Sequence, residues 1–159
     1  MIEITRAALR NSGQARDFLE LMRVYAMDPM GGGKDLSEYT KANLATALSD
    51  RDDVHVVLAY ADGEAAGLIT CIEGFSTFAS KPLLNIHDVV VKPRFRGRGI
   101  SRMLFDEAEA IAREKGCCKL TLEVLEGNMV AIDAYTRLGF SAYQLDPALG
   151  KAMFWEKKL

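Results

Sequence analysis

At 159 residues the chain is long enough to bury a full hydrophobic core, and a single domain over residues 1–159 is its simplest organisation. With 49% apolar and 26% charged residues it has an ordinary soluble globular composition. A net charge of −2 argues against nucleic acid or an anionic membrane as partner of the whole surface.

No apolar run approaches the roughly 18 residues that a membrane-spanning helix needs. The opening Met1-Ile2-Glu3-Ile4-Thr5 reads as a strand rather than a signal sequence. Adjacent Cys117 and Cys118 would face opposite sides of a strand, so they and Cys71 predict no disulfide framework. Two histidines without Cys-x-x-Cys spacing predict no metal site. The expected compartment is the reducing cytoplasm.

In chain order, residues 2–6 alternate as a near-edge strand. Residues 13–25 carry Ala15, Phe18, Leu19, Met22 and Tyr25 at the spacing of an apolar helical stripe. Asp28-Pro29-Met30-Gly31-Gly32-Gly33 breaks that helix. Ser37 is placed to cap a second helix to residue 48, with Tyr39, Ala42, Leu44 and Leu48 inward. Residues 54–60 and 65–72 flank Ala61-Asp62-Gly63-Glu64, whose Asp-Gly pair predicts a hairpin. A loop containing Gly74, Ser76, Ser80 and Pro82 then leads to a strand over 83–91.

A helix is predicted over 99–115, with Ile100, Met103, Leu104, Ala108, Ile111 and Ala112 on one face and Gly116 at its C-cap. Residues 118–124 read as a strand, and Asn128 opens a short helix ending near 138, before Gly139. Residues 140–143 and 152–156 predict a final hairpin, with Phe154-Trp155 alternating between the core and a dimer or substrate surface. The order β-α-α-β-β-β-α-β-α-β-β contains one strand–helix–strand crossover, which requires a parallel pair. The expected fold is α/β (α+β), a mixed sheet with helices on both sides.

The most informative stretch is Val89-Val90-Val91-Lys92-Pro93-Arg94-Phe95-Arg96-Gly97-Arg98-Gly99-Ile100, followed by Ser101 and Arg102. A strand runs through a basic, glycine-spaced turn into a helix. Unpaired N–H groups and the positive end of the helix dipole make such a junction an anion site. Gly97 and Gly99 let the backbone approach an anion, and Arg94, Arg96, Arg98 and Arg102 add local charge. Neither common phosphate loop fits: no Lys-Ser or Lys-Thr follows the second glycine, and no third glycine completes a dinucleotide fingerprint. Gly31-Gly32-Gly33-Lys34 lacks a preceding strand and reads as a flexible loop over an acceptor site. Asp28, Asp35 and Glu38 near it are read as a solvated face, with attraction of a cationic amine as the alternative.

Arg94-x-x-Gly97-x-Gly99 resembles the R/Q-x-x-G-x-G/A loop of the GNAT superfamily (general N-acetyltransferases). Asn128-x-x-Ala131-x-x-x-Tyr135-x-x-x-Gly139-Phe140 resembles that family's second signature. The resemblance covers residues 83–143 and implies acetyl-CoA as co-substrate. It implies that the loop from Arg94 to Arg102 holds the pyrophosphate and that the backbone of Val89, Val90 and Val91 pairs with the pantetheine arm. It also implies a parallel strand pair splayed to admit that arm. Asn128 would bind a pantetheine amide or cap its helix, and Tyr135 takes the position of the general acid. Ser101 departs from a more usual third glycine.

Phe75-Ser76-Thr77-Phe78 through Pro82, with Ile86-His87-Asp88-Val89, is similar to the diamine and thialysine acetyltransferase branch. That branch has Glu-Asp where this chain has His87-Asp88, so the base is open among His87, Asp88 and Glu123. His87 takes precedence on intrinsic pKa. Strand alternation puts His87 and Asp88 on opposite faces. The implied activity is direct acetyl transfer to a small primary amine, in a fold where homodimers are common. Rival readings are a peptide amine as acceptor, a non-catalytic acyl-CoA-binding regulator, and an assembly module.

Overall fold

The computed structural model describes residues 1–159. They form two compact units, Met1–Leu122 and Glu123–Leu159. The first unit holds β1 (Ile2–Arg6), α1 (Ser12–Met27), α2 (Glu38–Ser49), β2 (Val54–Ala61), β3 (Glu64–Ser76), β4 (Lys81–Val91), α3 (Ile100–Glu114) and β5 (Leu120–Leu122). The strands lie side by side in the order β1-β2-β3-β4-β5. Neighbours are antiparallel except β4 and β5, which are parallel as the crossover through α3 demands.

The helices α1 and α2 start where side chains take up the free amides. Asn11 Oδ1 accepts from the Gly13 and Gln14 amides at the head of α1. Ser37 Oγ accepts from the Thr40 amide at 3.1 Å to start α2. The inward stripe of α2 is Leu44, Ala45 and Leu48, which pack against the core. Tyr39 and Ala42 were expected there but are exposed, Tyr39 at 77%. Leu44, Ala45 and Leu48 follow the i, i+1, i+4 spacing of one face, and Tyr39 lies well round the helix from them.

Asp62 and Gly63 both take left-handed φ, 54° and 84°, giving the tight turn that Asp-Gly favours between β2 and β3. The loop expected around 74–82 is instead mostly strand. Gly74 pairs with Leu83, Phe75 with Pro82 and Ser76 with Lys81, and the chain reverses only over 77–80. Pro82 sits near the start of β4, where proline is tolerated.

Alternation along the strands builds a core on each face of the sheet. Phe18 and Leu21 of α1 pack with Val56, Leu58, Leu68 and Val90. The buried side of α3 is Ile100, Leu104, Phe105, Ala108, Ile111 and Ala112. Phe105 replaces the expected Met103 among the fully buried positions. Gly67 permits the start of α3 to lie close: a Cβ there would come within 2.8 Å of the Val90 carbonyl oxygen and 3.3 Å of Ile100 Cγ2.

β5 is shorter than expected, with three residues paired to Leu84, Asn85 and Ile86. From His87 onward the β5-facing edge of β4 has no strand partner. Cys117 and Cys118 precede β5 rather than lying in it, and all three cysteines are free.

The second unit contains α4 (Met129–Arg137) and a 3₁₀ turn, Pro147–Leu149. Asn128 Oδ1 accepts from the Ala131 amide at 3.2 Å to begin α4. Gly139 closes the helix at φ 94°, where the Phe140 amide donates to the Tyr135 carbonyl. The final hairpin expected over 140–143 and 152–156 is not strand; the Ala152 amide donates to the Tyr143 carbonyl at 3.2 Å. An isolated two-stranded hairpin is marginal without a buried face. Here Phe154 and Trp155 are 78% and 79% exposed, so neither reaches a core. No helix is long and apolar enough to cross a membrane.

Candidate active site

The junction between β4 and α3 is an uncapped helix start in open space. After Val91 a 3₁₀ turn, Pro93–Phe95, reverses the chain, with the Phe95 and Arg96 amides donating to the Lys92 and Pro93 carbonyls. Gly97 and Gly99 follow at φ 77° and 78°. No atom lies within 4 Å of a Cβ added at either, so the left-handed backbone rather than crowding requires glycine. The helix ladder begins with the Met103 amide donating to the Gly99 carbonyl at 3.1 Å, and no side chain caps the end. The amides of Ile100, Ser101 and Arg102 therefore point outward without an acceptor, at the positive end of a 15-residue helix. This is a cup suited to phosphate oxygens.

The arginines around the cup are all engaged. Arg94 contacts the Glu64 carboxylate, Arg98 lies 3.5 Å from Asp62, and Arg96 lies 3.6 Å from Asp28. Arg96 Nε also donates to the Val91 carbonyl at 3.1 Å, and Arg102 pairs with Asp106 one turn along α3. Lys92 was not singled out in the sequence. It is only 7% exposed, and its Nζ reaches Glu20 Oε1 at 2.6 Å and Glu64 Oε1 at 3.3 Å. No spacing in the sequence relates residues 20, 64 and 92, because three separate elements bring them together.

Along β4 the register with β3 slips. Thr70 faces Asp88 and Cys71 faces Ile86, so His87 is the extra residue of a β-bulge. An inserted residue interrupts the regular ladder at this point, and the two candidates differ in exposure. His87 is exposed, while Asp88 is partly buried. Burial pushes the Asp88 carboxyl above its usual range, opposed by the charge of His87 and a weak interaction with Thr70. The Thr70 hydroxyl is itself buried without a partner at full hydrogen-bond geometry, so it offsets little of that burial.

Two other groups feel Asp88. Burial raises the Tyr25 phenol, aided by Asp88 and Asp28. Burial and then the Asp88 charge push the Cys71 thiol up to about 12. Val89, Val90 and Val91 pair with Ile69, Leu68 and Gly67 on one edge, and their other edge has no strand partner.

The Gly31–Lys34 segment is tightly bonded. Gly31, Gly32, Gly33 and Lys34 all donate their amides, to Asp28, Pro29, Asp28 and Ala26 respectively. Asp35 pairs with Arg23 and Lys41, and Glu38 with Lys41, so both belong to a solvated ion-pair network. Glu123 is exposed and makes no ion pair.

In the second unit Tyr135 is half-buried on α4, edge-on to Phe140 with ring centroids 6.2 Å apart. Asn128 serves as the cap of α4, one of the two roles expected of it. The structure shows no group of His, Cys, Asp and Glu side chains arranged to hold a metal.

The sequence pattern of the acetyltransferase (GNAT) family matches residues 18–140. Streptothricin acetyltransferase of Streptomyces lavendulae is 37% identical over 129 residues, covering 81% of this chain and 61% of that protein. Thialysine N-epsilon-acetyltransferase of Bos taurus is 35% identical over 86 residues, 50% of this chain and 49% of that protein. The matched stretch thus spans about half to three-fifths of these relatives. Among solved structures, the aminoglycoside N-acetyltransferase AAC(6')-Iy in complex with CoA has a TM-score of 0.77 at 17% identity, covering 100% of this chain and 96% of that one. The ribosomal-protein-alanine N-acetyltransferase of Brucella melitensis biovar Abortus 2308 has a TM-score of 0.75 at 19% identity, covering 92% and 96%. Likeness at those identities is one of fold, whereas the family pattern rests on the sequence itself. The chain belongs to the acetyltransferase (GNAT) family.

Proposed function

We propose that residues 1–159 act as one transferase domain that moves an acetyl group from acetyl-CoA to a primary amine of a small molecule, by direct attack in a ternary complex. The observation that carries this reading is the uncapped start of α3, with three free amides and two left-handed glycines, at the end of a strand whose outer edge is open. Ile100, Ser101 and Arg102 amides would hold the pyrophosphate, and the open edge of Val89, Val90 and Val91 would pair with the pantetheine arm. Acetyl-CoA supplies an activated thioester; the chain supplies position and protons.

An alkyl ammonium of pKa about 10.4 is neutral only about once in 2,500 molecules at pH 7, a deficit of about 4.6 kcal/mol. Asp88 is the preferred base, taking that proton directly or through water. Its raised pKa brings it closer to the amine than an ordinary aspartate, and it lies at the bulge where the open edge begins. Exposed His87 is the alternative. Tyr135 is assigned by its motif as donor to the departing thiolate. The three free thiols suit a cytoplasmic setting, and the exposed Met153, Phe154 and Trp155 offer apolar surface for a homodimer.

The test is thiol release from acetyl-CoA across diamines, amino acids, aminoglycosides and peptides. Release with a small amine is expected. Tyr135→Phe should keep acetyl-CoA affinity within about twofold while lowering kcat roughly a hundredfold. Silence across the panel with tight acetyl-CoA binding would favour a regulator, and no binding at millimolar acetyl-CoA would end the transferase reading.

A further inference from the structure

The basic loop between β4 and α3 is built as an alternating ladder. Lys92, Arg94, Arg96 and Arg98 each reach a carboxylate on another element. Lys92 and Arg96 reach toward the first helix and its end, at Glu20 and Asp28. Arg94 and Arg98 reach the turn between β2 and β3, at Glu64 and Asp62. The last two guanidiniums also share one ring: Arg94 lies 5.1 Å and Arg98 5.7 Å from the Phe95 centroid. Two stacked cations beside the cup therefore already face anions before any ligand arrives.

Lys92 and Arg94 differ although both use Glu64. Lys92 is buried and keeps Glu20 at 2.6 Å as a closer partner than Glu64 at 3.3 Å. Arg94 has a side chain 62% exposed, and Glu64 is the carboxylate it holds. An exposed guanidinium is free to exchange a carboxylate for a phosphate, whereas a buried ammonium between two glutamates is a fixed strut.

We propose that Glu64 is a positioning residue that sets coenzyme affinity by competing with the bound diphosphate for Arg94. This rests on the acetyl-CoA reading of the cup. In the free chain Glu64 keeps Arg94 pointed and stacked. On binding, Arg94 turns from the carboxylate to a phosphate oxygen, and the cost of breaking the first pair is subtracted from affinity. The same cost is returned when the product CoA leaves, so Glu64 favours release.

The experiment is calorimetric titration of CoA and of inorganic pyrophosphate into four chains at low salt: wild type, Glu64→Gln, Arg94→Met and the double variant. Glu64→Gln should bind CoA about two- to fivefold more tightly, the range expected from one exposed ion pair. That gain should vanish in the Arg94→Met background, because it acts through the guanidinium. Turnover should show a lower KM with kcat unchanged or reduced where product release limits it. Glu20→Gln, which removes the principal Lys92 partner but not the Arg94 partner, should leave CoA affinity unchanged.

Equal CoA affinity in wild type and Glu64→Gln would overturn the proposal, as would a gain of the same size with Arg94 removed, which would show simple long-range repulsion. If Glu64→Gln loses folding as well as affinity, Glu64→Asp keeps the charge that Lys92 faces while drawing the carboxylate back from Arg94, and tighter CoA binding by that variant makes the same test. No CoA binding to wild type would instead refute the acetyl-CoA reading itself.

Discussion

The chain has two glycine-rich basic segments, 31–34 and 97–102, and the structure treats their amides differently. In the first, four successive amides are spent on carbonyls of α1 and its end, and Gly31 exists because a Cβ there would sit 1.9 Å from the Tyr25 carbonyl oxygen. In the second, the glycines lie in open space and the amides at the head of α3 have no acceptor. Glycine content is shared; the availability of donors is not. An anion site is defined by amides left over after the fold has taken its own, and only the second segment has them.

The contrast can be broken first at Gly31. Gly31→Ala forces a methyl group into backbone, so a loss of roughly 3 kcal/mol is expected, at the upper end for overpacking. Thermal unfolding should show this as a fall of about 6–12 °C, while the folded fraction keeps its CoA affinity. Ser101→Pro attacks the other segment. Proline is tolerated in a first helical turn, so stability should change by less than about 1 kcal/mol, while CoA binds about 10- to 100-fold more weakly for want of one donor to a charged oxygen. Retained CoA affinity in Ser101→Pro would show that the free amides do not hold the diphosphate.

A subtler test uses Asp88, whose charge is felt by the Tyr25 ring that Gly31 packs against. Because the folded pKa of Asp88 is raised, its contribution to stability is fully present below the unfolded value of about 3.9 and is lost as pH rises through the raised value. Asp88→Asn should therefore melt higher than wild type at neutral pH, with the difference disappearing in acid, and should turn over more slowly. A wild-type melting curve that stays parallel to that of Asp88→Asn across the acid range would remove the argument for a strained carboxyl.

Much of the fold was legible because local chemistry decided it. Asp62-Gly63 supplies the pair of left-handed residues that one of the two favoured two-residue hairpin turns needs. Ser37 and Asn128 start helices with their own side chains, and the apolar stripe of α3 matches its buried face in all but Met103 and Phe105. What could not be read depends on other elements. The bulge at His87 is a property of two strands in register, and a single strand's alternation contains no trace of it. Tyr39 was placed inward by hydrophobicity, but the neighbours that α2 meets are chosen by Leu44, Ala45 and Leu48. The last hairpin failed for the opposite reason: its alternation is present, yet nothing buries its apolar side. The cup itself was visible as letters, while the buried Lys92 and the carboxylates facing Arg94, Arg96 and Arg98 were not.

The one-sided pairing of β4 also acts as a ruler. Its ladder to β5 is closed at Ile86 and its free edge runs from His87 to Val91, about 13 Å at the usual rise per strand residue. On the proposed acetyl-CoA reading, a donor gripped beyond Val91 would have to reach back along that whole length before its acyl carbon met the bulge, and a carrier with a shorter stem would fall short. That reading makes chain length, and not only acyl chemistry, a criterion for the thioesters this strand would accept.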